Sequence, residues 1–212
     1  MSQANAERRS LPDNGQLPTG EAMPTRFRIR AAQPKDLNQI VNVLIHSFYT
    51  EAKTTQWLYW VLRIGIREDI KTKVTSPNAR YACLVATTIH PDSAQSGQVI
   101  GTAEISQRPC ETWQFFPPSR AYLSNLAISD RHRRQGAAQQ LIATCEKIAF
   151  GWGFRHMYLH VMADNAAAKK LYALAGYQLC EVSNPVLSTL GLRPQRLLLS
   201  KRIATQGSEK RD

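Results

Sequence analysis

A short apolar stretch, a basic loop and a run of small residues follow one another in Leu126-Ala127-Ile128-Ser129-Asp130-Arg131-His132-Arg133-Arg134-Gln135-Gly136-Ala137-Ala138. The apolar residues read as a buried strand, and a long apolar helix face begins at Gly136. The start of a helix leaves backbone N–H groups without partners and carries partial positive charge, so it attracts anions. Gly136 has no Cβ to hold a diphosphate off the backbone, and Arg133 and Arg134 add full charges. The candidate diphosphate ligands are the backbone N–H groups of Gln135, Gly136, Ala137, Ala138 and Gln139.

This junction alone leaves two interpretations open, because a glycine between a strand and a helix can also serve packing. The loops G-x-x-x-x-G-K-[ST] and G-x-G-x-x-G do not follow the strand. Their absence from the sequence disfavours a nucleotide hydrolase and a nicotinamide-dependent dehydrogenase.

A second motif lies downstream at a fixed distance. Arg133-x-x-Gly136-x-Ala138 resembles the coenzyme A signature [RQ]-x-x-G-x-[GA] of the GNAT acetyltransferases. The stretch Asn165-Ala166-x-Ala168-x-x-Leu171-Tyr172-x-x-x-Gly176-Tyr177 resembles the second signature of that family. The resemblance spans residues 26–203 and is particularly similar to the cyanobacterial and plant plastid branch. It implies an enzyme that moves an acetyl group from acetyl-CoA to a primary amine without a metal.

Apolar periodicity predicts the elements around the two motifs. Strands are expected at residues 26–30, 81–88, 98–107, 122–128, 157–162, 177–182 and 196–202, and helices at 34–48, 57–73, 136–151 and 165–176. The segment 108–120 contains three prolines and is therefore predicted to be an irregular loop. The order predicts one α/β domain over residues 26–204, with a mixed, mostly antiparallel sheet of six to seven strands and helices on both faces.

Composition bounds the remaining questions. Residues 1–25 and 205–212 are polar, which predicts a disordered tail and a frayed end. The net charge of +11 is compatible with nucleic acid, with a phosphate-rich coenzyme or with solubility alone, and no recognition pattern supports nucleic acid. Four scattered cysteines predict neither a zinc site nor a disulfide framework. Without a membrane span or an evident leader, the expected compartment is the cytoplasm, with the plastid stroma as the alternative.

The family resemblance also implies the chemistry of particular side chains. Tyr172, whose phenol has an ordinary pKa of ~10, is the expected general acid for the leaving thiolate. His160 lies in the strand Tyr158-Leu159-His160-Val161, which resembles that of N-terminal acetyltransferases with a histidine base. Tyr122 takes the place of the tyrosine that assists this base through a water. Glu104 is the reserve base, and its alternative reading is an ordinary exposed carboxylate.

The same resemblance implies the remaining coenzyme contacts and the substrate. The backbone of Leu126, Ala127 and Ile128 is expected to bind the pantetheine arm, because GNAT enzymes splay this strand from the one carrying His160. Asn165 is expected to contact the coenzyme, and its alternative reading is a helix N-cap. The expected acceptors are protein α-amines, lysine ε-amines or both. A small arylalkylamine, suited to the aromatic residues 57–60, and a non-catalytic acetyl-CoA or nucleic-acid binding module are the alternatives. The sequence leaves monomer and homodimer open.

Overall fold

The computed structural model describes residues 27–48, 68, 70–71, 80–89, 97–109, 119–183 and 195–204. The expected tails at 1–25 and 205–212 lie outside these residues. So does most of the helix expected at 57–73, including its aromatic part, although Glu68, Ile70 and Lys71 are helical.

The described elements follow the predicted order. The strands are β1 (Phe27–Ala31), β2 (Tyr81–Thr88), β3 (Val99–Pro109), β4 (Ser119–Ile128), β5 (His156–Met162), β6 (Gln178–Ser183) and β7 (Arg196–Arg202). The helices are α1 (Leu37–Phe48), α2 (Ala137–Gly151) and α3 (Ala166–Leu174), and short 3-10 helices occupy Pro34–Asp36 and Asp130–His132.

The prediction of an irregular loop over residues 108–120 is wrong at both ends of that range. Arg108 and Pro109 still belong to β3, where they pair with Arg120 and Ser119 of β4. Proline is tolerated here because Pro109 is the last residue of its strand, where a missing N–H interrupts no further ladder bond.

The seven strands form one sheet in the order β1-β2-β3-β4-β5-β7-β6. The pair β4–β5 is parallel and the other five neighbouring pairs are antiparallel. Both faces are covered, because α1 packs on one face with Val85 while α2 packs on the other with Met157 and Leu159. The predicted α/β class, with a mixed and mostly antiparallel sheet and helices on both faces, is confirmed.

The parallel pair separates soon after it forms. β4 and β5 are in register only where Ala121 pairs with Met157 and Tyr122 pairs with Tyr158. Beyond that point β4 stays paired with β3 as far as Ile128, and β5 stays paired with β7 as far as Met162. The sheet therefore opens between the carboxyl-terminal halves of its two central strands, as the family resemblance implied.

Candidate active site

The predicted phosphate-binding turn lies at the start of α2, beside this opening. Gly136 is the N-cap residue of α2, with a left-handed φ of 84°, and its N-cap position carries no side-chain hydrogen bond within the described part of the chain. The first backbone hydrogen bond of the helix runs from the Gln140 N–H to the Gly136 carbonyl, 3.1 Å. The N–H groups of Ala137, Ala138 and Gln139 precede it and have no helical partner. They are among the groups that the sequence predicted as anion ligands.

The shape of this turn fits a diphosphate. A Cβ added to Gly136 would meet no atom of a described residue within 4 Å, so these residues leave the space next to its backbone open. Arg134 also has a positive φ, of 60°, while Gln135 between them does not. This alternation turns successive N–H groups toward one concavity, as in phosphate-binding nests. The Oε1 atom of Gln135 is buried and accepts no hydrogen bond from any residue that the structure describes.

The two arginines of the turn have different surroundings. Arg133 Nη2 lies 2.6 Å from Asp130 Oδ1, and its Nε lies 3.4 Å from the Ile128 carbonyl, so this side chain braces the loop. Arg134 makes no hydrogen bond or ion pair within the described ranges. Its whole charge is therefore available to an anion, whereas Arg133 already shares its charge with Asp130.

A β-bulge shapes the splayed half of β4. Ser124 pairs with Glu104 and Ala127 with Thr102, so β4 has one residue more than β3 in this interval. Asn125 has a left-handed φ of 51°, which asparagine adopts more readily than most residues. A bulge bends its strand, and this one lies next to the residues expected to face the pantetheine arm, Leu126, Ala127 and Ile128.

The bulge is held by Glu104. The alternative prediction for this residue, an ordinary exposed carboxylate, is wrong. Glu104 is only 2% exposed and accepts a 2.7 Å hydrogen bond from Asn125 Nδ2. Its charge acts on neighbours: after burial itself, Glu104 is the second cause that raises the pKa of the Cys83 thiol to about 12. The sequence analysis did not single out Asn125. The available signal was a polar residue within the apolar run 122–128, of a type that tolerates positive φ.

Tyr122 and His160 lie together on the α1 face of the sheet. Their strands are in register at Tyr122 and Tyr158, and alternate residues of β5 share a face. The Tyr122 hydroxyl lies 2.5 Å from His160 Nδ1, with ring centroids 5.8 Å apart. The two predicted side chains thus form one directly hydrogen-bonded pair.

Tyr172 approaches from the other face. It is 8% exposed, packs in the core beneath α2, and meets the Tyr177 ring edge-on at 5.9 Å between centroids. No described residue hydrogen-bonds its hydroxyl. Burial, followed by the neighbouring phenol of Tyr122, raises the pKa of Tyr172 to about 12. The phenol therefore keeps its proton throughout the physiological pH range, as a general acid must.

Asn165 is a helix N-cap, which was the alternative to its expected role as a coenzyme ligand. Its Oδ1 accepts a 3.0 Å hydrogen bond from the Ala168 N–H and so caps α3. The cap uses the oxygen alone, and contact of the Nδ2 group with a coenzyme stays a prediction.

Two absences hold within the described residues. No helix there is long and apolar enough to cross a bilayer. No three side chains among the histidines, cysteines, aspartates and glutamates placed there converge on a position for a metal ion.

Comparison with known proteins agrees with this geometry. A model of the Acetyltransferase (GNAT) family matches residues 50–177. Over 133 residues the chain is 37% identical to GCN5-related N-acetyltransferase 10, chloroplastic, of Arabidopsis thaliana, which covers 61% of this chain and 52% of that protein. Arabidopsis thaliana NAA60 in complex with acetyl-CoA matches with a TM-score of 0.62 at 18% identity, covering 84% of this chain and 99% of that one. PaiA N-acetyltransferase of Thermoplasma acidophilum in complex with coenzyme A matches with a TM-score of 0.61 at 17% identity, again covering 84% and 99%.

The chain belongs to the acetyltransferase (GNAT) family, since the family model covers more than half of it. The chloroplastic relative confirms the resemblance to the plant plastid branch. The two solved structures confirm the fold, and the chain spans about half the length of the chloroplastic relative.

Proposed function

We propose that this protein is an N-acetyltransferase that transfers an acetyl group from acetyl-CoA to the α-amine of a protein or peptide, to a lysine ε-amine, or to both. The observation that carries the proposal is the opening between β4 and β5. A phosphate-binding turn lies at its end, the hydrogen-bonded pair Tyr122–His160 lies on one face, and a protonated Tyr172 lies on the other.

Binding of acetyl-CoA falls to the α2 turn and to the separated half of β4. The N–H groups of residues 135–139 and the charge of Arg134 would hold the diphosphate. The edge of β4 at residues 126–128 has no β5 partner, so its backbone can hydrogen-bond the amides of the pantetheine arm. Acetyl-CoA supplies the activated acetyl thioester.

The Tyr122–His160 pair is the proposed base, acting directly or through a water. An α-amine with an ordinary pKa of ~7.7–8.0 is about one-tenth neutral at pH 7, while lysine, near 10.4, is neutral in about one molecule in 2,500. A neutral imidazole can take the proton that the amine loses. With the phenol donating to Nδ1, the Tyr122 oxygen accepts the amine proton as its own proton passes to His160. The other tautomer accepts at Nε2.

Tyr172 is the proposed acid. As the C–N bond forms and the C–S bond breaks, the phenol donates its proton to the departing sulfur. The described cysteines offer no competing nucleophile at this point, because Cys83 and Cys145 are buried with raised pKa values and Cys180 is on the outer strand β6. We therefore propose direct attack by the amine rather than an acetyl-cysteine intermediate.

The reaction class and the acceptor are tested together by incubating the protein with acetyl-CoA and a peptide library. Mass spectrometry separates α-amine from lysine products, and thiol release gives the rate. A small arylalkylamine, assayed in parallel, tests the alternative acceptor. Coenzyme binding without thiol release for any amine would show a non-catalytic binding module instead. If Tyr172→Phe and His160→Ala both kept full activity, the proposed residue roles would be wrong even with the reaction class intact.

We propose a reducing compartment for this reaction, either a cytoplasm or a plastid stroma. The support is that Cys83, Cys145 and Cys180 are all free thiols and that the matched Arabidopsis relative is chloroplastic by name.

A further inference from the structure

Two arginines lie side by side on the sheet face that carries the proposed base. Arg108 of β3 pairs directly with Arg120 of β4, and Ser106, one position along the same face, pairs with Tyr122. Because alternate residues of a strand share a face, both arginines lie on the same face as Tyr122. Like charges directly opposite each other destabilise a sheet. This juxtaposition therefore requires compensation from another group.

Only neutral groups compensate the two charges within the part of the chain that the structure describes. The Arg108 guanidinium carbon lies 4.2 Å from the centre of the Tyr122 ring. Its nitrogens Nε and Nη2 each lie 3.3 Å from a serine hydroxyl, those of Ser106 and Ser124. Arg120 lies over the Tyr158 ring at 5.3 Å. Its Nε is buried and donates no hydrogen bond to a described residue, which is a costly state for a charged group.

This arginine pair is remote from the phosphate turn. Arg120 and Ile128 lie near opposite ends of β4, which at ~3.3 Å per residue places them ~26 Å apart. The diphosphate turn begins only after Ile128. The arginine pair therefore lies beside Tyr122 and far from the residues that we assign to the phosphates of the coenzyme.

We propose that Arg108 and Arg120 form a carboxylate-binding subsite for the acceptor, which selects peptides with an acidic residue shortly after the reacting amine. This inference rests on the proposed function, since it concerns the amines that reach Tyr122 and His160. Two guanidinium forks present donors that match the two oxygens of a carboxylate.

The spacing defines which peptide positions the subsite reads. Arg120 and Tyr122 are two residues apart on one strand, or ~7 Å, and an extended peptide advances ~7 Å over two residues. An amine held at Tyr122 thus places the side chain of the second or third peptide residue at the arginines. Peptides with lysine at those positions are repelled.

The test compares three peptides that share a first residue and differ only in positions two and three, which are both Glu, both Gln or both Lys. The readout is kcat/KM from thiol release, with mass spectrometry confirming α-amine acetylation. The wild type should prefer the Glu peptide to the Gln peptide about tenfold, equivalent to ~1.4 kcal/mol, and should use the Lys peptide least. Arg108→Gln and Arg120→Gln should each reduce the Glu/Gln ratio to about threefold, and the double variant should bring it near one.

The matched control is Arg28→Gln, which removes the same charge from an exposed position on β1. At ~4.8 Å per strand, β1 lies ~14 Å from β4, so the Glu/Gln ratio should keep its wild-type value. Arg108→Lys keeps the charge without the fork and should retain part of the ratio. A high salt concentration should reduce the wild-type preference, because the charges are partly exposed.

The outcomes separate the two proposals. If the wild type acetylates no peptide, the proposed function fails. If it acetylates the Glu and Gln peptides equally, the subsite inference is wrong and the function stands. If Arg108→Gln and Arg120→Gln slow both peptides by the same factor, the arginines have only a structural role, which also overturns the inference.

Discussion

Replacing Gly136 by alanine tests whether the start of α2 holds the diphosphate, and Gly153 provides a matched control. The two glycines flank α2 and have positive φ values of 84° and 90°, and an added Cβ at either one would meet no described residue within 4 Å. An L-residue in this conformation costs about 1–2 kcal/mol. Because neither methyl group clashes, both substitutions should lower the free energy of unfolding by that amount and no more.

The two variants should differ only in coenzyme binding. In Gly136→Ala the new methyl group occupies the open space over the N–H groups that we assign to the diphosphate. Loss of one charge-assisted hydrogen bond costs about 1.5–3 kcal/mol, which raises the Kd for coenzyme A about 10- to 100-fold. Gly153 lies beyond the other end of α2, so Gly153→Ala should bind coenzyme A with the wild-type Kd.

Two measurements decide the matter. Thermal denaturation should show a similar decrease for both variants, about 2–4 °C for each kcal/mol in a domain of this size. Isothermal titration with coenzyme A should then separate them. Equal affinity in wild type, Gly136→Ala and Gly153→Ala, with equal losses of stability, would refute the assignment of the diphosphate to this turn.

Three further predictions concern the catalytic side chains and the bulge. Tyr172→Phe should lower kcat about 100-fold or more with unchanged coenzyme A affinity, measured by thiol release and calorimetry. Burial raises the pKa of Tyr172 to about 12 in the folded protein. Between pH 10 and 12 this phenol therefore loses its proton in the unfolded chain but keeps it in the folded one, so the free energy of unfolding falls over that window. Denaturant titrations should show a smaller fall in Tyr172→Phe. His160→Ala and Tyr122→Phe should each lower kcat/KM at pH 7, and kcat/KM should recover as the pH rises past the pKa of the amine. The two effects should not add in a double-mutant cycle, because the two groups share one proton. Asn125→Gly keeps the positive φ but removes the donor to Glu104 and should cost about 1–3 kcal/mol in denaturant unfolding, and Asn125→Ala should cost about 1 kcal/mol more.

Each of these has a contradicting result. A wild-type kcat in Tyr172→Phe would remove the phenol from the acid role. Additive effects at His160 and Tyr122 would mean that they act independently despite their 2.5 Å separation. Equal stability of the two Asn125 variants would show that the left-handed backbone carries no strain.

The positions of the proposed phosphate turn and of the proposed catalytic pair could be predicted because their signals are local. Gly136 ends a basic loop and begins an apolar helix, so its place at the N-cap of α2 follows from sequence alone. Tyr122 and His160 each belong to a short strand with a clear apolar alternation on one side, which fixes the face on which each lies. That they touch depends on the parallel pairing of Tyr122 with Tyr158, whereas the family resemblance implied only that the two side chains act together through a water.

The surroundings of Glu104 could not be predicted in this way. Alternation distinguishes a covered face from an exposed one only when one face is polar, and β3 is buried on both faces from Val99 to Ile105. The bulge at Asn125 is a relation between two strands, so the polar residue within β4 could indicate an irregularity there but not its register against β3. The pairing of Arg108 with Arg120 is likewise a matter of register, hidden in a segment whose prolines predicted a loop.

The bulge at Asn125 connects the two halves of the proposed reaction. Before it, at Tyr122, β4 pairs with β5 on one side and β3 on the other, which fixes the distance between Tyr122 and His160. After it, β4 follows β3 alone and leaves its other edge open. A continuous β4–β5 ladder would keep the Tyr122–His160 pair but close the edge of β4 that we assign to pantetheine. A β4 that was separated from β5 along its whole length would free that edge but lose the register that brings Tyr122 to His160. The strand must therefore change direction between the two functions, and the buried hydrogen bond from Asn125 to Glu104 holds it at that place.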